Sequence, residues 1–361
     1  ESAPALPPPL GSEDGSITPV LWPSVGEYPV YDRFLYSLMS RDRLRNQRYL
    51  AALRERVRDR VVVDIGTGRH LNWARACVEA GARLVYAIEE QDDSFAEAKA
   101  RVARLGLGER IRLIKGASMQ VALPERADVC ISEIIGLIGG SAGAAVALNA
   151  ARRRFLKPEG LMIPERCGTR RAALSLPDDL RTKPAFTEAG DRYADAIFAA
   201  TGSPLDVRVC VRGLPPSSLL SRSTVFESLD FRHLVPTDHH VDVGLEIERA
   251  GRLDGFLLWI NLWCGLEDEP LSSLHHETSW SPVVFPALSP GVPVQPGDRL
   301  AIRCRGWLSS DGRHPDYGLD GWLRGQGSQR SFFHVSRHHG GPFRGNAFYR
   351  SLWASRQAAG A

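Results

Sequence analysis

Between residues 61 and 165, short apolar runs alternate with amphipathic stretches, and that alternation leaves few folds open to the chain. VVVDIG (61–66), LVYAIE (84–89), IRLIKG (111–116), ADVCISEII (127–135) and LMIPE (161–165) read as buried strands. LNWARACVEAG (71–81), SFAEAKARVARLGLG (94–108) and AGAAVALNAARRRFL (142–156) carry a helical period, and the first two stop at glycine. Strand and helix in this order predict a parallel sheet wrapped by helices. Right-handed crossovers place the carboxyl ends of all its strands on one rim.

That rim carries acids. Asp64, Glu89 and Glu133 each stand at or near the end of an apolar run, and acid or glycine at successive strand ends outlines a nucleotide-type cofactor site. Gly66-Thr67-Gly68-Arg69-His70-Leu71 lacks the third glycine of a dinucleotide fingerprint, so pyrophosphate binding is not supported. What is left is a tight turn into a helix, where Gly66 and Gly68 let a ligand approach the backbone closely. Asp64 can hold an ammonium group or a water, and Glu89 can accept hydrogen bonds from ribose hydroxyls. Ser118 and Met119, after the third run, offer a hydroxyl and a thioether to a flat adenine. Ribose and adenine without pyrophosphate point to S-adenosylmethionine (SAM), with S-adenosylhomocysteine as its product.

The 361 residues have room for a second domain. Residues 1–25, with ALPPPLGSEDGS, read as a flexible leader. Residues 26–164 form the sheet domain, opening with two amphipathic helices broken near residues 40–42. From 165 to 335, runs such as VRVCVRG, TVFESLDF, HHVDVGLEIE, DGFLLWINLWCG and PGDRLAIRCRGW predict a β-barrel or sandwich, with one helix near 191–202. Residues 336–361 form a basic, aromatic tail read as solvated; capping of the barrel or contact with an acidic partner are its other readings. A net charge of +3 argues against a nucleic-acid partner, and no run approaches the roughly 20 apolar residues of a membrane span. Six scattered cysteines without a CxxC pair read as reduced core residues in a cytoplasmic setting.

Several motifs between residue 28 and about 305 form a pattern. Asp42-Arg43-Leu44-Arg45-Asn46 stands where a D-x-x-R-T pattern would, and Ser132-Glu133-Ile134-Ile135-Gly136 where S-E-W-M-G would. LKPEGLMIP (156–164) matches L-K-P-x-G-x-x-x-P, Gly255-Phe256-Leu257-Leu258-Trp259 matches G-F-x-x-W, and Thr278-Ser279-Trp280 stands for T-H-W. In this combination the chain resembles the protein arginine methyltransferase family. The resemblance implies a Rossmann-like class I SAM methyltransferase domain followed by a β-barrel (α/β + β), with a helical arm near 180–202 that joins a homodimer. It makes Arg45 the anchor of the SAM carboxylate, Met39 a neighbour of the sulfonium, Glu133 catalytic, and Ser279 and Trp280 part of the substrate mouth.

Three departures fall where such an enzyme reads its substrate. The family's second catalytic glutamate lies nine residues after the first, and here that position is Ala142; the T-H-W histidine is Ser279; Arg69-His70 replaces the last glycine region of the cofactor turn. A planar, always-charged guanidinium suits two carboxylate clamps. Losing one charge-assisted partner at a buried site costs about 1.5–3 kcal/mol. Glu277 and Asp238 are candidate replacements, and Glu159 a poor one. The sequence therefore reads as a methyltransferase of secondary metabolism acting on a nitrogen or oxygen of a small molecule or peptide, with Glu133 orienting or deprotonating it. The alternatives are an arginine N-methyltransferase, on protein or free arginine, and a SAM-binding scaffold without catalysis.

The histidine pairs 239–240, 275–276 and 338–339 predict no metal, because neighbours on a strand face opposite ways. His276, or His275 beside it, is a candidate base near Thr278. Trp259 and Trp263 read as barrel core or lining, Trp280 as one wall of the pocket, and Ser132 and Ser141 lack a nearby His–Asp grouping.

Overall fold

The computed structural model describes residues 6–28, 30, 33–265, 269–325 and 327–359. The first half forms a five-stranded, wholly parallel sheet in the order Ile111–Lys115, Leu84–Glu89, Val61–Ile65, Ala127–Ser132, Leu156–Ile163. Val61–Ile65 is buried at every position, as a central strand covered on both faces must be. The chain builds outward from it on one side and then crosses to Ala127–Ser132 on the other. That reversal makes the carboxyl ends of these two strands the place where such a sheet takes ligands.

Helices Asn72–Glu79, Asp92–Arg104 and Ala144–Arg154 follow the expected stretches, each slightly shorter. The last strand starts earlier than expected, at Leu156, because Leu156 pairs with Ala127 before the regular register resumes at Val129–Leu161. Pro158 is tolerated there because the strand lies at the sheet edge. Helices Arg33–Arg41 and Arg43–Arg56 precede the sheet and break at Asp42, whose side chain accepts from the Arg45 amide at 3.0 Å. A cap of this kind is worth about 1 kcal/mol.

The second half is the barrel. One sheet runs Val20–Pro23, Val209–Arg212, Val283–Phe285, Gly255–Trp263, Arg166–Leu174, Thr224–Asp230, with Leu271–Ser272 added beside Gly255–Trp263. A second runs His239–Glu246, Arg299–Leu308, Pro315–Gly325, Ser328–Ser336. Along Gly255–Trp263, Phe256, Leu258 and Ile260 face the core shared with the parallel sheet, while Leu257 and Trp259 face a second core on the other side. Burial on both faces explains why this strand is continuously apolar from Phe256 to Ile260. The second core is closed by helix Glu188–Thr201, in the region read as the arm, and by helix Ala347–Ala359.

Two expectations are overturned. Residues 6–25 of the supposed leader lie on the barrel: Val20–Pro23 pairs antiparallel with Val209–Arg212, and the Arg212 guanidinium donates to the Pro7 carbonyl at 2.8 Å. Residues 1–5 fall outside the described residues. The tail is likewise docked rather than solvated. Phe348, Tyr349, Leu352 and Trp353 are buried, and the Trp353 indole donates to Asp206 at 2.7 Å. In both segments a few aromatic and aliphatic residues among polar ones suffice, since they fill an apolar face already offered by the barrel. All six cysteines are buried. Among the described residues no helix is long and apolar enough to cross a membrane.

Candidate active site

The rim of the parallel sheet gathers the acids as the spacing predicts. Asp64 is fully buried; its Oδ2 accepts from the Thr67 hydroxyl at 2.6 Å, and its Oδ1 lacks a hydrogen-bond partner among the described residues. Burial pushes this carboxyl up to about 7, with the Thr67 hydroxyl and the Ala74 amide working against the shift and Glu89 and Glu133 adding to it. Glu89 accepts from the Gly68 amide at 2.9 Å and the Gln91 amide at 2.8 Å. A carboxylate retains lone pairs beyond those two bonds. Gly66 and Gly68 have φ of 71° and 68°, and a Cβ on either would meet no atom within 4 Å. Ser118 and Met119 follow Ile111–Lys115 onto the same rim, where Met119 is exposed and Arg154 donates to the Ser118 carbonyl at 3.1 Å.

The buried, underpartnered Asp64 oxygen and the open space over two left-handed glycines suit a ligand that brings a cation and lies against the backbone. These residues fit a SAM-type cofactor. Asp64 would hold its ammonium group, Glu89 its ribose, and the Ser118–Met119 turn its base.

Glu133 lies one residue past Ala127–Ser132. One carboxylate oxygen pairs with the Arg45 guanidinium, and the other accepts from the Trp73 indole at 3.3 Å. Burial pushes the Glu133 carboxyl above its ordinary value, and Arg45 and Trp73 offset part of the rise. Arg45 also donates to the Met39 carbonyl at 2.8 Å and approaches Ser279 Oγ at 3.4 Å, with the Trp280 ring 5.8 Å away. The second oxygen of Asp42 takes the Ser279 amide at 2.6 Å and the Ser279 hydroxyl at 2.9 Å, while the Trp280 indole donates to the Ile135 carbonyl at 3.0 Å. The barrel loop 278–280 is thereby fastened to the sheet domain around Glu133. Met39, Arg45, Glu133, Ser279 and Trp280 converge, although Arg45 grips Glu133 itself here. His276 does not join them: its Nδ1 accepts from the Ser272 amide at 3.0 Å, closing its own turn.

The stretch after Glu133, where Ala142 stands, is surrounded by acids that the barrel and its approach supply. Glu227 accepts from the Gly140 amide at 2.9 Å, from Thr169 at 3.2 Å and from Tyr317 at 3.1 Å. Glu27 accepts from the Ser141 hydroxyl and pairs with Arg208 at 2.8 Å, both side chains being fully buried. Glu27 and Glu227 were missed by sequence reasoning, because Glu27 lies in the short stretch between the leader and the first helix and Glu227 in a barrel strand. Trp73 was missed too, being an ordinary core tryptophan by its helical position. Asp238 accepts from the Leu308 amide at 3.3 Å on the barrel, and Glu277 is exposed beside Arg212. Neither touches Glu133.

The fold and rim together define a class: a Rossmann-like sheet domain of the methyltransferase kind joined to a β-barrel. Solved structures share the architecture. Protein arginine methyltransferase 10 of Arabidopsis thaliana superposes with a TM-score of 0.69 at 22% identity, over 83% of this chain and 96% of that one. A chain of the Trypanosoma brucei PRMT1 enzyme–prozyme heterotetrameric complex with AdoHcy gives 0.67 at 19% identity, over 84% and 98%. Among curated proteins, the probable histone-arginine methyltransferase CARM1 of Oryza sativa subsp. indica is 30% identical over 236 residues, 62% of this chain and 44% of that protein. Protein arginine N-methyltransferase 1 of Schizosaccharomyces pombe is 25% identical over 302 residues, 79% and 85%. The matched region thus spans under half the length of the rice relative. No protein-family model matches. The chain resembles the protein arginine methyltransferases.

Proposed function

We propose that the protein is a SAM-dependent methyltransferase whose acceptor is a nitrogen or oxygen of a small molecule or peptide. The observation that carries this reading is the Glu133 environment: one partly buried carboxylate held by Arg45 and Trp73, with raised proton affinity, beside a loop whose neighbouring acids Glu27 and Glu227 are already engaged. SAM, when bound, supplies a methyl group on a sulfonium. Glu133 orients the acceptor's lone pair toward it and takes up the acceptor's proton, a role its raised affinity favours. Asp42 and Trp280 hold the barrel loop over the site and exclude water, and positioning of this kind dominates a displacement reaction. Arg45 must release Glu133 before the acceptor can use it, and a cofactor carboxylate is a partner that would draw the guanidinium away.

Arginine N-methylation is the second reading, favoured by the names of the relatives. A homodimer through the arm near 180–202 belongs to both readings, and light scattering of the full chain checks it. Incubation with labelled SAM and separate pools of amines, alcohols and arginine peptides tests them. Production of S-adenosylhomocysteine with the first two pools supports the favoured reading; methylarginine formed in the third alone sinks it. Glu133→Gln is expected to lower turnover about 100-fold, some 2.7 kcal/mol in barrier, with SAM still bound.

A further inference from the structure

Arg170 and Arg171 are neighbours on strand Arg166–Leu174, so their side chains take opposite faces of the sheet. Arg170 is half-buried and donates to the Ser223 carbonyl at 2.9 Å. Arg171 turns into the barrel and is fully buried. Its Nη1 donates to Cys304 Sγ on strand Arg299–Leu308 of the second sheet. Its Nε and Nη2 are buried too and have no hydrogen-bond partner among the described residues. These two nitrogens form one edge of the planar guanidinium, the edge that holds an anion through two parallel N–H bonds. Thr224 stands directly across from Arg171 on the neighbouring strand, and its buried hydroxyl likewise has no partner among the described residues.

Arg171 is the exception among the buried arginines. Arg45, Arg56 and Arg208 each pair with a glutamate. Arg212 gives its donors to the Pro7 and Thr278 carbonyls and the Ser281 hydroxyl. No carboxylate pairs with Arg171 among the described residues. Asp242 and Asp320, whose charges reach Cys304, lie on the outer face of the second sheet and pair with Arg303 and Arg305. Cys304 supplies no counter-charge either: burial pushes its thiol up to about 12, against the pull of Arg171, so it is protonated at neutral pH. Burial lowers the proton affinity of Arg171 as well, yet an arginine stays protonated in a folded protein. A buried charge left without a counter-charge is strongly destabilising.

We infer that the interior of the barrel binds a small monovalent anion, chloride in the first instance, on the Nε–Nη2 edge of Arg171, with the Thr224 hydroxyl as a further donor. One guanidinium balances one negative charge, so a monovalent ion leaves the interior neutral where a dianion would not. Arg171 reaches from the first barrel sheet to Cys304 on the second. An ion held there therefore acts on the stability of the barrel, away from the rim that the cofactor would use.

Bromide replaces chloride and scatters anomalously, so crystals of the full chain grown in NaBr test the site directly. One anomalous peak is expected on the Nε–Nη2 edge of Arg171, and none there in Arg171→Met. In solution, protein dialysed into sodium gluconate should gain about 2–4 °C in thermal midpoint when chloride or bromide replaces gluconate at equal ionic strength. Arg171→Met should show no such gain. Should Arg171→Met fail to fold, the bromide peak in the parent decides alone. A water on that edge in place of bromide, or equal midpoints in chloride and gluconate, overturns the inference. So does a thiolate ultraviolet band at neutral pH that disappears in Cys304→Ser, since Cys304 would then be the counter-charge. None of these outcomes bears on methyl transfer.

Discussion

Two glycine-rich loops leave the same rim of the parallel sheet, and their glycines serve opposite ends. In the turn after Val61–Ile65, Gly66 and Gly68 adopt left-handed backbone, and a Cβ on either would enter empty space. In the loop after Ala127–Ser132 the space is already filled. A Cβ at Gly136 would come 2.0 Å from Ser141 Oγ, one at Gly139 would come 2.8 Å from Cys167 Sγ, and one at Gly140 would come 2.7 Å from a Glu227 oxygen. The first loop leaves open space over its backbone, as the proposed cofactor needs, whereas the second fills that space with the protein's own packing. Loss of the second glutamate at Ala142 belongs to that difference: the loop is built to lie against buried acids of other segments.

The largest expected effect lies under the second loop. Glu27 and Arg208 are a fully buried ion pair, and Arg208 also donates to Ser336 Oγ at 2.8 Å and the Pro315 carbonyl at 2.9 Å. Removing one partner leaves a buried charge unpaired, so Arg208→Met should cost about 3–5 kcal/mol in urea denaturation. Glu27→Gln should fall in the same range, and the double variant should recover part of the loss. SAM affinity should hold within about twofold, since neither residue touches the rim, taking one pK unit of energy as the scale of a tenfold change. A small stability loss with a large affinity loss would make the second loop a ligand loop and dissolve the contrast.

A smaller, sharper test exchanges one methyl group between the loops. Gly140→Ala overpacks a filled site and should cost about 1–3 kcal/mol in stability with cofactor affinity unchanged. Gly68→Ala meets no atom but must adopt φ of 68°, for about 1–2 kcal/mol of backbone strain. Its methyl also occupies the approach to the backbone, so the dissociation constant for SAM, read by calorimetry, should rise about tenfold, or 1.4 kcal/mol. Parallel behaviour of the two variants would break the comparison.

The same contrast explains what the sequence disclosed. Period and strand-end acids placed the sheet, the Asp42 break, and Asp64, Glu89 and Glu133, because each signal is local to a few consecutive residues. Glu27 and Glu227 depend on segments that meet only after the barrel closes, and no local pattern marks them. The leader and tail misled for a related reason. Trp22 and Trp353 stand in short apolar clusters too small to make a core of their own, and only the apolar barrel surface beneath them turns those few residues into docked structure.

The smallest effect concerns pH and bears on the first loop alone. Asp64 has an ordinary carboxyl value of 3.8 and a folded value near 7, with Glu89 and Glu133 as charged neighbours and the Cys77 and Cys130 thiols close by. Its contribution to stability is therefore full below about pH 4 and is lost as pH rises through 7, where the buried carboxylate must ionise. Binding of the cofactor's ammonium group favours the ionised form. Affinity for SAM should then strengthen about tenfold between pH 5.5 and 7, before the cofactor's own α-amino group, with a value near 8, begins to lose charge. Asp64→Asn should flatten that slope, weaken binding at pH 7, and raise the thermal midpoint of the cofactor-free protein at pH 7.5. A slope that persists in Asp64→Asn but disappears in Glu133→Gln would move the titrating group from the first loop to the second.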